Sequence, residues 1–258
     1  MDIHQFAIIH PDAKIGKDVK IGPFVTIDDN VEIGDGTIID SGAVIRYGTR
    51  IGQRCHIHSN AVVGDIPQDL KFQGEETVAI IGNDTVIREF ATVHRGTASK
   101  GKTVVGDNCL IMAYCHVAHD CVVGNHVIMS NSVQLAGEVV VHDWAIIGGG
   151  ALVHQFTIIG SHAMVQGGAL VNKDIPPFSI VARQPICFEG INKVGLHRRG
   201  YTSEQIDAIA DVYRTIYDGG QNITKSLETV QSELPQSPER DLIVEFVKSS
   251  KRGIVRKA

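Results

Sequence analysis

No segment of this 258-residue chain approaches the ~18 consecutive apolar residues that a membrane-spanning helix needs. The opening residues, Met1-Asp2-Ile3-His4-Gln5, have neither the basic nor the apolar region of a secretory signal, so the expected location is cytoplasmic. A cationic excess is missing too: 24 Lys and Arg stand against 29 Asp and Glu, for a net charge of -5 and a pI near 6.2. That balance argues against a dedicated nucleic-acid binder, whose phosphate-neutralising surface makes it basic, and leaves small or acidic partners open. The apolar share of 43% is enough to bury a core.

What is present is a period. An aliphatic residue recurs every six positions from Ile9 to Val63, again at Ile81, Ile87 and Val93, and from Val105 through Met129 and Leu135 to Val171, giving 25 hexads. Six matches neither the 3.6 of a helix nor the two of a long strand, so it signals a repeat architecture. Hexads predict a parallel β-helix. Three short strands and three turns make a triangular coil of about 18 residues, and coils stack at ~4.8 Å into a prism of roughly 40 Å. Glycine after the marker, as at Gly16, Gly22, Gly34, Gly52, Gly106, Gly124, Gly148 and Gly160, suits corners that need unusual dihedrals or close backbone approach. Four of the five cysteines (Cys55, Cys109, Cys115 and Cys121) sit four residues after a marker, where other hexads carry Ala, Val or Thr. They read as small buried fillers rather than metal ligands. Only Cys187 lies outside the pattern.

Two interruptions, residues 64 to 80 and 94 to 104, become surface loops on a solenoid, where function often resides. After Val171 the signal changes at Ile175-Pro176-Pro177. Thr202 with Gln205 reads as a capping box, Ser237-Pro238 as a cap followed by a first-turn proline, and Gly219-Gly220 as a stop. A β-helix domain over 1–189 and a helical domain of three or four helices over 190–258 are expected. Ile206, Ile209, Val212, Tyr213 and Ile216 form the apolar stripe of one of those helices.

Several of the 12 histidines cluster within a few coils. His94, His116 and His154 adjoin inward markers and should therefore point outward, as surface groups rather than core. Residues one coil apart stack, which sets His119 beside Gly137 and, if the second loop inserts cleanly, His94 and Arg95 near Ala118 and His119. One side of the prism thus collects His94, His116, His119, Asp120, Gly137 and His154. A carboxylate beside an imidazole fixes its tautomer, so His119 with Asp120 is a candidate general base, and a free glycine N–H could hold an oxyanion. Incidental surface histidines, or a zinc site like that of the hexapeptide-repeat carbonic anhydrases, are the competing readings; the His-x-x-His-Asp spacing disfavours zinc.

The run His116-Val117-Ala118-His119-Asp120-Cys121-Val122-Val123-Gly124-Asn125, with Gln68-Asp69-Leu70-Lys71, Val93-His94-Arg95-Gly96-Thr97, Leu135-Ala136-Gly137, Val153-His154-Gln155-Phe156 and Arg198-Arg199-Gly200, closely resembles the acyl-carrier-protein-dependent UDP-N-acetylglucosamine O-acyltransferases. Those enzymes catalyse the first step of lipid A biosynthesis, and the resemblance covers essentially the whole chain. It implies an all-β left-handed parallel β-helix with a C-terminal α-helical domain, and a homotrimer with active sites between subunits. It implies His119 as general base, Asp120 as its support and the Gly137 N–H as oxyanion donor. Gln68, Asp69, Lys71, His94, His116, His154 and Gln155 fall on or beside substrate-contacting positions; Asn192, Arg198 and Arg199 match the region holding uridine and phosphates. Gly167 matches the position that limits the acyl groove, implying a long chain. The acyl donor is a phosphopantetheine-bearing acyl carrier protein, with no metal and no further cofactor.

Three departures stand out. Glu138 replaces a common His, Val194 a ribose-side Glu, and Gln184-Pro185 a His-containing segment around the nucleotide. The basic run Lys248, Lys251, Arg252, Arg256 and Lys257 is either a docking patch for the acidic carrier protein or a solvated helix end. A sister hexapeptide acyltransferase, N-acylating another UDP-amino-sugar or using coenzyme A, is the nearest alternative. A non-catalytic β-helix binding protein is the other, although its face would be a regular Thr ladder rather than mixed His, Asp, Arg and Gln.

Overall fold

The computed structural model describes residues 2–257. Strands of mostly two residues end on the aliphatic markers: Ile8–Ile9, Lys14–Ile15, Lys20–Ile21 and onward. Each strand pairs in parallel with the strand one coil away, and the chain visits three sheets in rotation. The first face begins with Asp2–Ile3, the second with Ile8–Ile9 and the third with Lys14–Ile15. Markers point inward and are almost wholly buried from Ile21 on, with Ile39, Ile57, Ile111, Leu135 and Val165 among the core. The repeat is a parallel β-helix.

Three edges join the faces. The first edge follows first-face strands, the second follows second-face strands, and the third leads back to the first face. Both interruptions leave the hexad at the second edge, after Val63 and after Val93. Neither breaks the register, since Val63 pairs with Val93 and Val93 with Val117.

The turn geometry corrects one expectation. Glycines directly after a marker do not need positive φ; they are there for close approach, as at Gly34, where a Cβ would stand 2.6 Å from the Gly52 carbonyl carbon. Positive φ falls two residues later, at Asp18 (55°), Asn30 (51°), Gly36 (71°) and Asn108 (55°), and Asp and Asn tolerate it better than most side chains. Cys55, Cys109, Cys115 and Cys121 are buried, and burial pushes the thiols of Cys109 and Cys115 up to about 11, which keeps them protonated and inert.

At the C-terminal end, Ser179–Ala182 pairs antiparallel with Cys187–Ile191, so position 189/190 falls inside a strand. Four helices follow: α1 (Lys193–Arg198), α2 (Ser203–Asp218), α3 (Ile223–Glu233) and α4 (Pro238–Ser249). The Thr202–Gln205 capping box, the Ser237 cap with Pro238 and the Gly219 C-cap are formed, and the α2 stripe is buried. One continuous apolar cluster runs from prism to helices, and Ser250 donates to the Asp174 carboxylate at 2.6 Å to tie the last segment back to the β-helix.

Candidate active site

The second edge gathers the chemistry. His119 lies two residues after marker Val117, and Gly137 two after Leu135; these markers are paired neighbours, so the imidazole sits over the glycine. A Cβ on Gly137 would stand 2.6 Å from both Cε1 and Nε2 of His119. Only a glycine fits beneath that ring. His119 Nδ1 lies 2.8 Å from Asp120 Oδ2.

Asp120 has positive φ (61°) and is fully buried. Burial alone would raise its carboxyl, but hydrogen bonds from Thr97 and His119 outweigh that and hold it below its ordinary value. Thr97 donates from its N–H at 3.0 Å and from Oγ1 at 2.6 Å, and the Lys100 N–H donates at 3.2 Å. An ionised Asp120 accepts the Nδ1 proton of His119 and leaves Nε2 as a lone pair facing Gly137.

The neighbouring imidazoles are kept neutral. Burial lowers His94, and it lowers His116 to about 4, with His94 and His119 adding to the effect on His116. The two rings meet edge-on with centroids 4.7 Å apart, and His116 Nδ1 is 2.7 Å from Thr92 Oγ1. His94 corrects the expectation of a surface group: it points out of the prism, yet only 6% of it is exposed. The cause is the loops, which cover the edge. Arg95 lies between Tyr47 and Phe72, 5.4 Å from each ring, and so ties the first loop to the edge. His94 Nδ1 and Arg95 Nε are buried without a hydrogen-bond partner, so this part of the edge has polar atoms to offer a ligand.

Gln68, Asp69 and Lys71 lie on the first loop, where Gln68 and Lys71 are exposed and the Asp69 carboxylate accepts from the Lys71 N–H at 2.9 Å. His154 and Gln155 are exposed on the coil beyond Gly137, on the same edge. Glu138 is turned into the second loop, accepting from Ser99 Oγ at 3.1 Å and pairing with Lys100 at 3.6 Å. It fastens the loop that caps Asp120.

The remaining candidates sit elsewhere in the same chain. Arg199 stacks over Trp144 at 5.2 Å and reaches His162 Nδ1 at 3.4 Å, all at the third edge, with Arg198 exposed beside it. Asn192 is buried and both ends of its amide serve the fold: Oδ1 accepts from the Gly195 N–H at 3.1 Å as the α1 cap, and Nδ2 donates to the His162 carbonyl at 3.0 Å. Gly167 lies at the first edge, exposed. Gln184 and Pro185 do not join Arg199; with Leu170, Ile186 and Ile254 they line a cavity of about 700 Å³ near the C-terminal end of the second face. Residue-by-residue reading missed Thr97, Lys100 and Trp144. Only Thr97 lay within a noted motif.

Residues 174–255 match the profile of domain 2 of Udp N-acetylglucosamine O-acyltransferase, residues 102–137 that of the bacterial transferase hexapeptide, and residues 3–104 that of the GMPPB C-terminal domain. The acyl-[acyl-carrier-protein]--UDP-N-acetylglucosamine O-acyltransferase of Trichlorobacter lovleyi is 49% identical over 99% of this chain and 100% of its own length. The chain belongs to this acyltransferase family. Among solved structures, the UDP-N-acetylglucosamine acyltransferase of Bacteroides fragilis superposes with a TM-score of 0.97 at 50% identity, covering 98% of this chain and 100% of that one. The LpxA structure from Acinetobacter baumannii gives 0.96 at 41%, covering 98% and 99%. The prism is thus the left-handed β-helix of the UDP-N-acetylglucosamine O-acyltransferases. Among the described residues, no helix is long and apolar enough to cross a membrane.

Proposed function

We propose that this chain transfers a (3R)-3-hydroxyacyl group from acyl carrier protein to the 3-hydroxyl of UDP-N-acetylglucosamine, the first step of lipid A biosynthesis. The observation that carries the reading is the stack of His119 over Gly137 with Asp120 buried behind it. His119 Nε2 takes the hydroxyl proton while Asp120 holds the Nδ1–H and stabilises the imidazolium. The sugar oxygen attacks the thioester carbon, and the Gly137 N–H, which has no acceptor among the described residues, receives the oxyanion. Collapse breaks the C–S bond, and the departing thiolate regains the proton from His119. Because the thioester arrives activated, the reaction calls on no metal or further cofactor, and neutral His94 and His116 line the substrate path without competing for that proton.

The reading includes a homotrimer. His119 lies at the second edge, Arg199 at the third and Gly167 at the first, so a ligand that touches all three groups takes them from neighbouring copies. Half-buried apolar residues pointing out of the first face, Val86, Leu110, Ile128, Ile146 and Met164, offer a surface for that association. Cytoplasmic location accords with a carrier-protein substrate. Of the C-terminal cations, Lys248 donates to Gln231 Oε1, Lys257 is held by Asp218, and Arg252 donates to the Asn172 and Gln155 carbonyls, which leaves Lys251 and Arg256 as the freer members of a docking patch.

The deciding assay pairs UDP-N-acetylglucosamine with a hydroxyacyl carrier protein. His119→Ala is expected to lower kcat by ~10²–10⁴ with unchanged circular dichroism; undiminished turnover would end the mechanism. Gly167→Met should shorten the preferred acyl chain across a ladder of donors, since even a Cβ there comes within 3.0 Å of the Gly149 carbonyl oxygen. An unshifted preference would remove Gly167 from the groove.

A further inference from the structure

A second constellation forms on the first edge and its face, away from His119. Markers Ile39 and Ile57 are paired neighbours, so Asp40 and His58, each one residue on, stack across consecutive coils, and His56 precedes the same Ile57. Asp40 Oδ2 lies 2.8 Å from His56 Nε2 and 3.5 Å from His58 Nδ1. The two imidazoles are stacked with centroids 3.9 Å apart and planes 24° from parallel. Among the described residues, this is the one group of three His, Cys, Asp or Glu side chains whose ligand atoms all fall within 4.8 Å of one another.

We propose that Asp40, His56 and His58 form a binding site for a divalent transition-metal ion of the Zn²⁺ class, separate from the acyl-transfer edge. Zinc takes imidazole nitrogen and carboxylate oxygen at about 2.0–2.2 Å in a tetrahedron, which places ligand atoms ~3.4 Å apart. The separations of 2.8 and 3.5 Å bracket that value. Side-chain exposures of 34%, 20% and 37% for His56, His58 and Asp40 let small torsional changes close the difference without moving backbone.

The charges around the site favour the same outcome. Arg88 does not oppose a cation as a free charge, because Glu89 accepts from its Nε at 2.9 Å and its Nη2 at 3.1 Å. Glu89 Oε1 is 3.6 Å from His58 Nδ1 but falls outside the group of three and is held by Arg88, so water completes the coordination. Two imidazoles with one carboxylate suit Zn²⁺, Ni²⁺ or Cu²⁺, whereas Ca²⁺ and Mg²⁺ require more oxygen. An ion here would join two coils just before the chain leaves the hexad for the 64–80 loop.

The test uses full-length protein, freed of metal by a chelator and titrated with ZnCl₂ against a chromogenic competitor. One equivalent per chain is expected for wild type and for His119→Gln, which controls for histidines of the second edge. The double variant His56→Gln/His58→Gln should lose that equivalent or bind at least ~10-fold more weakly. Asp40→Asn gives the same readout with both imidazoles in place, should the double variant fold poorly. Zinc should also raise the melting temperature of wild type but not of Asp40→Asn. An unchanged stoichiometry and affinity in these variants, loss in His119→Gln instead, or a wild-type Kd weaker than ~100 μM would overturn the site.

Discussion

The second and third edges of the prism use the same register position for opposite purposes. On the third edge, the residue two after the marker is an Asp or Asn whose Oδ1 accepts the backbone N–H of its counterpart one coil earlier: Asp107 from Asn83 at 2.6 Å, Asn125 from Asp107 at 2.8 Å, Asp143 from Asn125 at 2.8 Å. That ladder closes an otherwise open row of donors. On the second edge the same positions hold His119, Gly137 and Gln155, and the Gly137 N–H has no acceptor among the described residues. The fold's own capping device is missing where the oxyanion would form. A donor kept open for chemistry is a donor the scaffold does not use.

The largest expected effect that tests this contrast comes from Asp120→Asn. An amide cannot be counted on to hold the Nδ1–H tautomer, so kcat should fall by ~10² or more with little change in KM. The pH dependence of stability should change as well. The Asp120 carboxyl lies below its ordinary value of 3.8, so its ionised form stabilises the fold above about pH 4, and that contribution disappears as pH falls through the native value. Asp120→Asn should therefore show a shallower loss of stability on acidification, measured by denaturant melts from pH 6 to about pH 3. A variant as acid-sensitive as wild type would mean that Thr97 and Lys100 are not holding a charge.

Next in size is Gln155→Asn, which rebuilds the third-edge ladder on the second. Gln155 stands one coil beyond Gly137, the relation that Asn125 has to Asp107, and its side chain is one methylene too long for the third-edge geometry. Shortened to Asn, it should accept the Gly137 N–H. The expected result is a gain of about 1 kcal/mol in stability together with a loss of ~10² in kcat, as for removing one oxyanion donor. Lower activity without the gain in stability would assign Gln155 to substrate contact and not to this register argument.

Which of these features were legible beforehand follows from what obeys the period. Strands, inward markers, cysteine burial and the pairing of His119 with Gly137 all derive from the hexad, and the hexad held across both insertions. The loops have no period. Hence the burial of His94, the Thr97 clamp on Asp120 and the bond between Ser99 and Glu138 were not readable, because each depends on how residues 94–104 fold back over the edge. Asn192, matched to a nucleotide position by resemblance, also caps the short helix α1, a role that appears only once the helix start is fixed. The division between the Arg199 and His119 groups was likewise hidden until strands were assigned to faces.

The smallest expected effect on activity, Asn125→Ala, isolates the structural edge. Its Oδ1 caps the Asp107 N–H and its own N–H is capped by Asp143, so truncation removes one rung and leaves the next. The rung is exposed, and water takes over part of the lost hydrogen bond, which limits the destabilisation to about 0.5–1.5 kcal/mol, or ~1–6 °C in Tm. Turnover should stay within about twofold, because the third face, with its strand Val122–Val123, lies between this rung and His119. A fall in kcat larger than the loss of stability explains would show that the two edges are coupled. If only Tm moves, an open N–H at this register is a modest structural defect on one edge and, on the other, the place where a thioester carbonyl is held.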